Sequence, residues 1–132
     1  MLRTARSVLL VVCASATVFG QQPDVKAIKK EIETLRQLTA EKRGAATREL
    51  AIEIRALPAS RDKVILANSL AHLSTEGEDD ADVIQQVATT LSDALNETPI
   101  PSSSGKPTEP YYELAKLVRY VHKASSSART AG

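Results

Sequence analysis

Val25, Ile28, Ile32, Leu35 and Leu38 recur every three or four residues, the spacing that lines one face of a helix. Asp24, just ahead of them, has the right side chain to cap the first free amides. The apolar stripe resumes at Ala46, Leu50, Ile54 and Leu57 after the stretch "EKRGAATREL". Gly44 in that stretch is either a tolerated interruption or a bend. Residues 25–57 therefore read as two helices, or as one long helix weakened at Gly44. Pro58 ends the run, because proline disfavours helical geometry in the residue before it.

"ASRDKVILANSLAHL" starts again, with Ser60 as cap and Asp62 in the first turn, where a negative charge suits the helix dipole. Val64, Ile65, Leu66, Ala67, Leu70, Ala71 and Leu73 nearly encircle this helix and leave only Arg61, Asn68 and His72 as a polar strip. A helix apolar on most sides is packed on most sides, so this one is expected at the centre. "DADVIQQVATTLSDALNE" is a plainer amphipathic helix, with Ile84, Val87, Ala88, Leu91 and Leu95 inward. "TPIPSSSGKPTEP" follows, with four prolines, a glycine and three serines, and reads as an extended, mobile linker over 97–109. "EPYYELAKLVRYVHKA" is the last helix, with Tyr111, Leu114, Leu117, Val118 and Val121 inward. "SSSARTAG" carries no stripe, and 124–132 is expected to be disordered. No segment alternates with period two. The pattern predicts an all-α fold, an irregular bundle of about five helices; the helix pairs lack the positional self-similarity of a solenoid.

Composition changes this picture mainly at the N-terminus. "MLRTARS" carries Arg3 and Arg6 without an acid, "VLLVVCASATVF" is an uncharged, mostly apolar run of 12 residues, and Val18 and Gly20 occupy small-residue positions ahead of a cleavage point. This is the layout of a secretory signal peptide, residues 1–20, cleaved after Gly20 or earlier at "ASA"; an uncleaved anchor is the alternative. The run is shorter than the roughly 20 residues of a spanning helix. Removing 1–20 leaves a helical domain over 21–123 and the tail. Basic residues fall from 17 to 15 while acids stay at 16, so the formal charge moves from +1 to −1. No net basic field remains for a nucleic-acid backbone, and nucleic acid is not an expected partner. Cys13, the lone cysteine, leaves with the signal, and with it any disulfide, thiol nucleophile or thiolate ligand. Tyr111, Tyr112 and Tyr120 are then the only aromatics, so the core must be aliphatic.

Candidate chemistry gathers in "LAHLSTEGEDDADVIQQ", where His72 precedes Glu76, Glu78, Asp79, Asp80 and Asp82. Hard cations take several carboxylate oxygens, yet a calcium loop needs alternating acids, a central glycine and a distant glutamate, and Gly77 precedes most of these acids. Zinc would need a second histidine or cysteine at a defined interval, and His122 lies far along the chain. A helix joint explains the same residues. His72 stands in a last turn, Gly77 lets the chain leave the helix, Asp79 or Asp80 caps the next one, and Asp82 lies in its first turn. No phosphate loop and no nucleophile–histidine–acid set is identifiable, so no catalytic, metal or cofactor-binding residue is assigned. Tyr112, Lys116, Arg119, Tyr120 and Lys123 form a basic, aromatic strip on the outer side of the last helix, and the first four are the candidate interaction surface. "NET" at 96–98 matches a glycan acceptor but is followed by proline, and is read as coincidence.

"RALPASRDKVILANSLAHLSTEG", "VATTLSDALNETP" and "YYELAKLVRY" resemble the helical region ahead of the redoxin domain in exported bacterial thioredoxin-like proteins of the acidobacterial type, over about residues 50 to 121. Redox activity in that family belongs to a thioredoxin fold with paired cysteines, which this chain lacks. The resemblance therefore implies the accessory helical module alone, with "KASSSARTAG" marking where a redoxin domain was lost, and transfers no catalytic residue. Together these readings give an exported (periplasmic or secreted), non-catalytic interaction module with a protein partner, no cofactor and no stable membrane insertion once the signal is removed. The alternatives are a metal- or ligand-dependent hydrolase using His72 and the acidic joint, and a structural envelope protein that self-associates.

Overall fold

A computed structural model of the chain describes residues 24–76, 80–102 and 104–130. The expected signal segment, and Gly77, Glu78 and Asp79 of the joint, lie outside the described residues. Five helices follow one another: α1 Val25–Thr34, extended by a 3-10 turn Leu35–Gln37; α2 Ala40–Ala56; α3 Arg61–Glu76; α4 Ala81–Glu97; and α5 Glu109–Thr130. Among the described residues there is no strand, and the chain is an all-α bundle. No helix among them is long and apolar enough to cross a membrane.

The stripes read from the sequence meet in one aliphatic core. Ile28, Leu50, Ile54, Val64, Leu70, Val87, Leu91 and Leu117 are all 2 % exposed or less, and every helix supplies at least one of them. Each such side chain contributes about 1.5–3 kcal/mol by leaving water. α3 is the central element and packs against all four other helices, while α1 rests on α2 and α3, and α5 on α3 and α4. Two expected caps form: Asp24 Oδ1 accepts from the Lys26 amide at 3.1 Å, and Ser60 Oγ accepts from the Lys63 amide at 3.1 Å.

Four expectations are corrected. The first stretch is two helices, but the break falls at Leu38 and Thr39, both extended, and Gly44 is a tolerated residue within α2 rather than a bend. The break is held by Arg43, whose guanidinium donates to the carbonyls of Leu35 at 3.1 Å, which also accepts from the Leu38 amide, and of Leu38 at 3.0 Å. A β-carbon at Gly44 would meet Val83 at 3.8 Å, an ordinary contact, so neither space nor turn geometry requires a bend there. Second, Ile65 and Val118 point outward, 52 % and 45 % exposed, because each sits at the edge of an apolar arc wider than the neighbouring helices cover.

Third, α5 continues through Thr130, across residues expected to be disordered. No glycine or proline interrupts it between Tyr111 and Thr130. The hydroxyls of Ser125, Ser126 and Thr130 donate to carbonyls one turn back, each at 2.9 Å, and so do not compete with the helix for its amides. Fourth, the segment between α4 and α5 is non-helical but anchored. Ile100 packs on the core, its amide donates to the Tyr111 hydroxyl at 3.3 Å, and the chain turns at Ser104 and Gly105, both at positive φ. Only glycine takes that conformation without steric cost, which accounts for Gly105.

Candidate functional site

The structure separates the polar joint into two groups. His72 lies one turn before the end of α3, with Nε2 3.2 Å from Glu76 Oε1 and Nδ1 3.5 Å from Glu113 Oε1 of α5. Arg36, from the turn after α1, reaches Glu76 at 2.7 Å, and Lys116 reaches Glu113 at 2.8 Å. The result is a chain of polar contacts, Arg36–Glu76–His72–Glu113–Lys116, that joins α3 to the turn after α1 and to α5. Asp80 and Asp82 stand apart from it. Asp80 occupies the cap position of α4 without a capping hydrogen bond from its side chain, and Asp82, in the first turn, pairs with Arg48 of α2. Among the described residues, no group of three or more His, Cys, Asp or Glu side chains is arranged to hold a metal ion. The carboxylates beside His72 are taken up by Arg36 of the turn after α1 and by Lys116 one turn along α5, an arrangement suited to packing.

Glu113 was not foreseen. It is 3 % exposed, on the inward stripe one turn before Leu117, and it accepts from Lys116 and, at 3.4 Å, from the Thr75 hydroxyl. Burial alone would push its carboxyl up, but the Lys116 ammonium and then His72 outweigh that and hold it below the ordinary carboxylate range. Glu53 on α2 goes the other way. Burial, followed by the carboxylates of Glu31 and Glu49, raises it. The sign for Glu113 follows from linkage. A depressed acid stabilises the fold above its unfolded value, and that contribution is lost as pH falls through the folded value. Glu113→Gln is therefore expected to lower the melting temperature at neutral pH and to narrow the gap from wild type on acidification below about pH 4, in melts followed by circular dichroism. A gap independent of pH would refute the assignment.

The other candidate is the outer face of α5. Helical spacing brings Tyr112, Lys116, Arg119 and Tyr120 onto one strip, with Lys123 continuing it. Tyr112 is 52 % exposed and Tyr120 47 %. Lys116 has a second task as the partner of Glu113, whereas Arg119 donates only to the Ala115 carbonyl of its own helix, at 3.4 Å. A groove of about 620 Å³ also opens over α3 between α1 and the start of α5, with Ile32, Ile65 and Leu66 along it and Lys29, Glu33 and Asp62 at its edge. The apolar run of α3 carried the signal for that groove, since no neighbouring stripe was long enough to cover every apolar residue it presents. No protein-family model matches the chain, and neither does any curated protein or solved structure.

Proposed function

We propose that this chain is an exported, non-catalytic helical module that works by docking another protein onto the outer face of α5. The observation that supports it is the strip itself, with two half-exposed tyrosine rings two turns apart and Arg119 between them. Tyrosine and arginine are the side chains that most often dominate the energy of a protein interface, and a partner would remove from water the ring surface that the lone domain leaves wet. The exported setting rests on the signal-like layout of residues 1–20. The likeness of residues 50 to 121 to the region ahead of exported redoxin domains makes a thioredoxin-like protein, or the chains on which it acts, the first partner class to test. The alternative reading, a hydrolase at His72, would need the acids of the joint to converge, and Asp82 turns to Arg48 instead.

The test leaves Lys116 in place, because removing it would strand the buried Glu113 carboxylate. Tyr112, Arg119 and Tyr120 replaced together by alanine should leave helicity and melting temperature nearly unchanged. Recovery of the wild type's cross-linked partners from a cell-envelope extract should fall by about tenfold or more. Equal recovery by the two proteins would remove this face from consideration.

A further inference from the structure

We infer that the segment docking on α5 is acidic, an inference that deepens the docking reading above and rests on it. Charge is segregated along this chain. From Leu114 to Thr130 there are four Lys or Arg residues and no Asp or Glu, whereas residues 21–113 hold eleven basic against sixteen acidic residues. Folding keeps the four cations, Lys116, Arg119, Lys123 and Arg129, on the exposed side of α5. Among the described residues only Lys116 of these forms an ion pair, with Glu113. Arg119, Lys123 and Arg129 are left to the solvent or to a partner.

The strip from Tyr112 to Lys123 is about 16 Å long at the rise of an α-helix. Its cations lie one turn apart, the spacing that carboxylates take one turn apart on a partner helix or two residues apart on a strand. The two rings, two turns apart, leave room for an apolar side chain between the charges. A polyanion fits less well. Three unengaged cations fall short of the roughly four to eight clustered ones with which proteins hold anionic membranes, and of the roughly six to ten phosphate contacts of many nucleic-acid complexes. The strip has no aliphatic side chain to enter a bilayer.

The experiment titrates the full chain into a fluorescein-labelled peptide of alternating Glu and Leu. Parallel titrations use the same peptide with Lys for Glu, vesicles of phosphatidylcholine and phosphatidylglycerol in equal parts, and single-stranded DNA. The acidic peptide should bind and the lysine peptide should not. Affinity should fall about tenfold or more in Arg119→Glu/Lys123→Glu, and also on adding salt, while the far-ultraviolet spectrum and melting temperature stay unchanged. The inference is overturned by peptide binding that ignores the charge reversal, by tighter binding to vesicles or DNA, or by salt-sensitive self-association that the same variant abolishes. Partner capture separates the two ideas. If the alanine variant loses the partner while the charge-reversed one keeps it, docking on α5 stands and the acidic partner falls; if both keep it, both ideas fall.

Discussion

Leu117→Ala is expected to destabilise the domain by about 3 kcal/mol, because a buried leucine truncated to alanine loses its transfer energy and leaves a cavity. Leu117 is 0 % exposed and, among the described residues, is the only apolar side chain of α5 in the fully buried core, whereas Tyr111, Leu114 and Val121 are packed only at its margin. The helix is also tied to α3 by Glu113 to His72, but that pair is partly solvated and cannot replace an anchor. The midpoint of urea unfolding should therefore drop sharply. If α5 detaches before the rest unfolds, the slope will fall as well, since less surface remains to be exposed in the main transition. A midpoint within error of wild type would mean that α5 is not held by this side chain.

The second large effect is expected at Lys63. Its ammonium is buried at the end of α2 and donates to the carbonyls of Arg55 and Leu57 and to Glu97 Oε2, each at 2.9 Å. Pro58 stops α2 and leaves those carbonyls without helical amides, so a lysine from the next helix caps them. Lys63→Met keeps the stem and removes the three donors, at an expected cost of about 3 kcal/mol from buried acceptors left without partners. Glu97→Gln should cost less than about 1 kcal/mol, because the Glu97 side chain is 41 % exposed and water can take over. The contrast between the two variants in chemical denaturation decides whether Lys63 acts as a cap or as half of a salt bridge. Equal losses would favour the salt bridge.

Lys63 and Glu113 show where reading the sequence ran out. Each stands on an inward stripe, Lys63 in line with Ala67, Leu70 and Ser74, Glu113 in line with Leu117 and Val121. Periodicity therefore marked both positions, but a charged residue there is ordinarily assigned to water. What keeps them inside is a set of partners on other elements: the Arg55 and Leu57 carbonyls at the end of α2 and Glu97 of α4 for one, His72 and Thr75 of α3 for the other. Arg43 belongs with them, since the break at Leu38 depends on its reach across a turn.

The all-α class, the starts of α1 and α3, the stop at Pro58 and the strip of Tyr112, Lys116, Arg119 and Tyr120 were all legible in the chain. Each depends on residues within a few positions of one another, where backbone geometry and helical period leave little choice. Tertiary structure alone decided that Ile65 and Val118 stay wet, that His72 meets Glu76 and Glu113 while Asp82 turns to Arg48, and that Lys63 is buried. Those outcomes depend on which helix lies against which, and a one-dimensional pattern of stripes is compatible with several such arrangements.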